Sequence, residues 1–403
     1  MRNRMLLALI VACGVGARHV DGQKGKIPAR PRAAAIADTN DARAYLSYGI
    51  EEFDQDADAS ASAFYWASRL DPTLGDAFYG YRSAEIMRLP SLRREYFNTR
   101  GNAAPSKEML RLDSLYLRAV ITSPFLYRRL DRRMFTRWWR EALERSVRES
   151  GGNLSAIGPA EIRTYMEQTM LESDVATRAW LAYSDGRFED ALKSYADAMK
   201  GTKYKAFYRT ERGRIFGMRH EADSAIAEFK LAIDELTKRD EKKVVVLYNS
   251  KAVLEHSIAV LLEGRGDPTG AREAYGRALQ EDLSYWPAHL RLGLVALTEK
   301  DTAAALAELA LATEVAPLEP SLRHMYGITL ASAGRREEAL EQLRKAAELE
   351  PYWAQPYVAI GNLLEKENPS AAVEAYQRFL ARAARNAPLR RDVEDRMAGL
   401  KPQ

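Results

Sequence analysis

One cysteine in 403 residues, Cys13, excludes an intramolecular disulfide framework and any thiolate-cluster site for zinc or iron–sulfur. Glycine and proline are scarce: 24 and 16 residues, about a tenth of the chain, too few for a turn-dense β protein. Net charge is small as well. Sixty Lys+Arg against 56 Asp+Glu leave +4, so whole-molecule attraction to nucleic acid is not expected. No apolar run is long enough to span a bilayer core, which takes about 20 residues. The five histidines, at 19, 220, 256, 289 and 324, never recur at helical ligand spacing. His220-Glu221 begins like a zinc-protease motif, but position 224 is Ser. No phosphate-binding loop, dinucleotide fingerprint or nucleophile elbow is present. Asp54, Asp56 and Asp58 imitate a calcium loop, yet Ala59 and Tyr65 stand where its Gly and Glu are needed. A turn and helix N-cap is the simpler expectation. The chain therefore carries no sign of catalysis, and no cofactor or metal is expected.

What is present begins at the N-terminus. Arg2 and Arg4 precede an uncharged stretch over residues 5–17, the layout of a secretory signal peptide. Two outcomes stay open. Cleavage after Ala17 gives a soluble periplasmic or secreted protein. Ile10-Val11-Ala12-Cys13 resembles a relaxed lipobox, which gives an outer-membrane lipoprotein lipidated at Cys13. Residues 18–38 hold Pro28, Pro31, Lys24, Lys26, Arg30 and Arg32 without an apolar period, and are expected to form a flexible tether.

The strongest signal is a period. Gly293, Gly327 and Gly361 are 34 apart; Pro317 and Pro351 are 34 apart; Ala305 and Ala339 are 34 apart, with Ala372 next at 33. The order Gly, Ala, Pro is that of a helix, a tight turn, a second helix and a stop. A mid-helix Gly costs about 1 kcal/mol relative to Ala and is explained by close approach of a neighbouring helix. Pro ends each pair because it cannot continue a helix.

At these residues the chain resembles the tetratricopeptide repeat (TPR) family. The best copy, 320–353, carries Tyr326, Gly327, Leu330, Gly334, Ala339, Leu343, Ala346 and Pro351. Six units are expected over 172–387, starting at 172, 206, 252, 286, 320 and 354, with a 12-residue insertion near 240–251. Residues 39–89 resemble divergent units, through Tyr45, Gly49, Phe53, Phe64 and Pro72. Residues 90–171 leave the pattern, and 388–403 suit a C-terminal capping helix. The expected fold is all-α, an α-solenoid of helix–turn–helix units behind a divergent helical N-terminal region.

The resemblance implies an interaction scaffold and a site. The first helix of each TPR unit lines the concave face at its second, fifth, ninth and twelfth residues. Here these include Val253, His256 and Val260; Leu290, Leu294 and Leu297; His324 and Ile328; Val358 and Asn362. The basic clamp that binds acidic C-terminal peptides is missing apart from Asn362. The apolar middle of the groove suits an apolar or helical segment, supplied by a protein or peptide partner or by this chain's own non-repeat segment, or else tight curvature of the array turns these lining residues into core.

A second surface comes from charge. Residues 41–90 have 4 Lys+Arg against 9 Asp+Glu, whereas 91–150 have 14 against 7. Leu126, Leu130, Met134, Trp138 and Ala142 recur every four residues, a helical stripe flanked by Arg128, Arg129, Arg132, Arg133, Arg137 and Arg140. Three readings stand: an amphipathic helix packed on the array, a docking face for an acidic partner, or contact with a membrane surface through Trp138 and Trp139.

Overall fold

The computed structural model describes residues 27–98, 105–149, 151, 175–203, 205–238 and 250–400. The expected signal peptide, Cys13, the insertion near Val244–Leu247 and most of 150–174 lie outside the described residues. Among the described residues every regular element is a helix.

Six antiparallel helix pairs build the array. They are α7 (Val175–Ser184) with α8 (Phe188–Lys200), α9 (Ala206–Met218) with α10 (Ala222–Lys238), and α11 (Lys251–Gly264) with α12 (Pro268–Glu281). Next come α13 (Trp286–Thr298) with α14 (Thr302–Val315), α15 (Pro320–Ser332) with α16 (Arg336–Leu349), and α17 (Gln355–Leu364) with α18 (Pro369–Leu380). Each pair also packs on the next, and α19 (Arg390–Leu400) closes the end by burying Val393 against α18. This is an α-solenoid of TPR-like units.

The periodic residues explain the pairing. A Cβ on Gly361 would lie 2.3 Å from the Tyr376 ring, and one on Gly327 would lie 2.7 Å from Leu343 Cγ. The first helix lies so close to the second that only hydrogen fits. Three of the second helices, α12, α14 and α18, start from side-chain caps: Asp267, Asp301 and Asn368 each accept a backbone N–H three residues on. The turns between paired helices carry a left-handed residue at Gly186, His220, Gly266, Lys300 and Gly334, with φ between 62° and 76°. His220 is therefore a turn residue.

The N-terminal block consists of α1 (Ala42–Glu52), α2 (Ala57–Leu70), α3 (Gly75–Arg88), α4 (Pro90–Asn98), α5 (Lys107–Thr122) and α6 (Asp131–Glu149). α1 packs on α2, α2 on α3, and α3 on α5. The Phe64 ring sits where a Cβ on either Gly49 or Gly80 would strike it, at 3.1 and 2.3 Å, so the close-approach device recurs outside the regular array. Asp56 caps α2 by accepting from the N–H groups of Asp58 and Ala59. The acidic triplet thus belongs to a turn and cap.

Residues 27–38, expected as part of a flexible tether, instead lie against the block and the last repeats. Ile36 is buried, the Trp66 indole donates to the Pro28 carbonyl at 2.9 Å, and Arg30 stacks on Trp66. The aromatic ring of Trp66 supplies what the sequence of this strap, residues 27–38, lacks, an apolar and electron-rich surface for a guanidinium.

Candidate functional site

The block meets the array in reverse order. Asn40 donates to the Ala381 carbonyl, and Asp38 accepts from the Arg385 N–H. Arg69 pairs with Glu350 and Arg118 with Glu319, each at 2.6 Å. The backbone of Ile121 hydrogen-bonds the His256 ring. A Cβ on Gly217 would strike Phe125, and Tyr183 OH donates to the Leu126 carbonyl. Glu319, His256, Gly217 and Tyr183 lie on first helices or at the start of one, whereas Glu350, Ala381 and Arg385 follow the ends of second helices. Around α9 and α11 the face expected to receive a partner is thus covered by the chain itself.

That cover is apolar in the middle. One continuous buried cluster runs from Phe53, Phe64 and Phe78 through Leu112, Leu126 and Met134 to Val253, Ile258 and Tyr285. The expected groove residues divide accordingly. Val253, His256 and Val358 are buried, at 2%, 3% and 7% exposure. Val260, Leu290, Leu294, Leu297 and His324 are half-buried, and Ile328 and Asn362 are exposed. Val253 and His256 are core, because α5 and the turn after it occupy the surface they line. Burial, helped by the positive charge of Arg291, pushes His256 down to about 3 against the hydrogen bond its ring donates to the Ile121 carbonyl, so its ring is neutral. Burial likewise takes His324 down to about 4, and its ring lies 4.7 Å from that of Trp353. His289 bonds Glu308 at 2.7 Å.

The expected basic surface is not one free face. Arg128, its side chain 12% exposed, pairs with the buried Glu211, which also accepts from Arg214 at 2.7 Å. Burial opposes the Arg128 charge, but Glu211 and Asp131 outweigh it and hold the guanidinium above its usual range. Glu211 is held below the usual carboxylate range: burial pushes it up, and the charges of Arg128 and Arg214 overcome that. Arg132 pairs with Asp185 at 2.7 Å, Arg133 with Asp54 at 2.6 Å, and Arg137 with Glu141 at 3.5 Å. Arg129 lies near Asp76, whose carboxyl burial raises and Arg129 lowers. Of the six, Arg129 and Arg140 are exposed. The acidic and basic sequence blocks answer each other inside the molecule, as the Arg133–Asp54 pair shows.

Trp138 stacks on Phe97 at 5.0 Å, and Trp180 meets Phe135 edge-on at 5.4 Å, so the aromatic stripe joins α4, α6 and α7. Asp131 is the polar centre beside it, accepting from Tyr79 OH at 2.8 Å and Trp180 Nε1 at 2.9 Å. Sequence reasoning missed Asp131, Glu211, Arg69 and Glu350, since each is defined by a partner far away in the chain.

No described helix is long and apolar enough to cross a membrane. No group of three or more His, Cys, Asp or Glu among the described residues could hold a metal ion. An open cleft of about 350 Å³ between α16, α17 and α18 has Tyr357, Ile360 and Leu364 in its lining, with Arg344 and Glu374 among its charged residues.

No protein-family model and no curated protein matches the chain. Solved structures similar to it include YrrB, described as a TPR protein with an unusual peptide-binding site. It is 20% identical over 47% of this chain and 93% of its own, with a TM-score of 0.38. MamA is 18% identical over 49% of this chain and 96% of its own, TM-score 0.36. PilF of Pseudomonas aeruginosa is 18% identical over 48% and 88%, TM-score 0.39. On its own repeat spacing and paired helices, the described array is an α-solenoid of the tetratricopeptide-repeat kind.

Proposed function

We propose that this chain is an exported interaction scaffold without catalysis, and that its partner docks on the edge of the inner face that the N-terminal block leaves uncovered. The observation that carries this reading is the uneven exposure of the expected lining residues. Val253, His256 and Val358 are buried, whereas Leu290 and His324, also at fifth positions, are half-buried. At ninth and twelfth positions, Leu294 and Leu297 are half-buried, and Ile328 and Asn362 are exposed. Leu294, Leu297 and Ile328 together offer an apolar strip at adjacent repeats, suited to apolar side chains of a protein or peptide segment. A photo-crosslinking residue at Leu297 or Ile328 is expected to capture a partner that one at Leu311, on a second helix, does not. Equal capture at all three positions, or none, would remove the strip from consideration.

Export rests on the basic start and uncharged run over residues 1–17. A lipid anchor at Cys13 is the second reading, supported by Ile10-Val11-Ala12-Cys13. The mass of the mature N-terminus decides: a free Arg18 excludes the anchor, and a diacylglyceryl-modified cysteine establishes it.

A further inference from the structure

The block touches the array in two physically different ways. Against α9, α11 and α13 it shares the continuous apolar cluster that includes Ala206, Val253, Ile258 and Val295. Beyond α13 the array's buried residues fall into separate clusters, around Leu322, around Leu343 and around Tyr376. Among the described residues, the array's share in the cluster of Ile36, Tyr45 and Trp66 is the half-buried Tyr352.

The rest of that seam is polar. Arg69 Nε lies 2.6 Å from Glu350, with both side chains under a tenth exposed. Arg118 pairs with Glu319 while stacking over Phe78 at 4.3 Å. Arg30 bridges the two sides, 4.2 Å above Trp66 and 5.3 Å from Tyr352, and the Trp66 and Tyr352 rings meet edge-on at 4.8 Å. Arg30 also donates to the Thr39 carbonyl, which draws the strap into a loop. At its far end Asp38 and Asn40 bond the backbone of Arg385 and Ala381.

We propose that this seam is a clasp. Residues 27–40, α2 and α5 hold the C-terminal repeats α15–α19 against the block, and release of the clasp lets those repeats move away while the apolar middle stays packed. In a solenoid each repeat contacts only its neighbours, so a small change of curvature at each joint carries the end repeats far without breaking any one interface. Opening exposes Trp66, Tyr352 and the Arg69–Glu350 pair. It leaves the cluster around Val253 and Ile258 intact, because most of the apolar burial lies there.

The test does not depend on the docking strip. Spin labels at Glu51 and Glu374, both exposed, are placed in the full chain carrying Cys13→Ser. The closed clasp is expected to give one narrow distance distribution. Arg30→Ala combined with Asp38→Ala, and separately Arg69→Ala, are expected to broaden it and move it to longer distances with helical content unchanged. Unchanged distributions in both variants would overturn the clasp. Should a variant lose its fold, hydrogen exchange on the unsubstituted protein decides. The Arg385 amide and those of 33–41 are expected to exchange together, on the order of tenfold or more faster than amides of α11. Equal protection in the two regions would overturn the proposal.

Discussion

Arg69 and Glu350, 281 positions apart in sequence, face each other at 2.6 Å where the second helix of the block meets the C-terminal end of α16. Both are nearly buried, yet their titration does not follow from the pair alone. Burial pushes the Glu350 carboxyl up to about 7, and the charges of Arg69 on α2 and Arg118 on α5, with the Tyr352 N–H, limit the rise.

A pH dependence follows with a definite sign. The folded chain holds the Glu350 proton more tightly than the unfolded chain, where the ordinary value is 4.5. Its contribution to stability is therefore complete below about 4.5 and is lost as pH rises through about 7. The expected change is on the order of a few kcal/mol. Urea midpoints of the wild type and Glu350→Gln across this window check it. The wild type should lose stability relative to the variant as pH rises, and parallel curves would refute the assignment.

Two glycines in helices should respond to alanine with opposite signs. Gly361→Ala places a Cβ 2.3 Å from the buried Tyr376 ring and is expected to destabilise by about 1–3 kcal/mol through overpacking. Gly276, inside α12, has nothing within 4 Å of its would-be Cβ. There Gly276→Ala should stabilise by roughly 0.5–1 kcal/mol, the helix-propensity difference alone. Denaturant midpoints of the two variants measure both effects.

The repeat was legible because it is local physics written every 34 residues. Gly327 against Leu343, or Gly361 against Tyr376, needs only a helix, a turn and a helix. The cover over the inner face was not legible to the same degree. That Val253 and His256 would be core depends on α5 lying against them, and nothing near residue 253 encodes that. The two opposite charge blocks were a trace of it, since Asp54 and Arg133 come from different blocks and form a pair. The strap was misread because its contacts go to single carbonyls and rings rather than to a periodic apolar face. His220 could have been recognised: it stands 34 residues after Gly186 in the same turn position.

That position yields a stabilising substitution. Lys300 has φ 63°, in the left-handed region, where Gly266 and Gly334 occupy the equivalent turns. A side chain there costs roughly 1–2 kcal/mol, partly offset by the extra freedom glycine has when unfolded. Lys300→Gly is expected to raise stability by about 0.5–1 kcal/mol. A urea titration that shows no gain, or a loss, would mean that the turn is held by Lys300 itself.

The buried pair of Arg128 and Glu211 tests how the block is locked to the array. Arg128 precedes α6, and Glu211 is on α9 with its side chain 2% exposed. Glu211→Ala leaves Arg128 and Arg214 buried without their shared carboxylate, and a loss of about 3–5 kcal/mol is expected. Replacing both members of the pair, Arg128→Met with Glu211→Leu, removes the orphaned charge of Arg128 and should cost less than Glu211→Ala alone. A double-mutant cycle from chemical denaturation gives the coupling directly. Strong coupling places the lock in the ion pair. Additive losses would assign it instead to the apolar contacts that Leu126, Leu130 and Met134 make beside it.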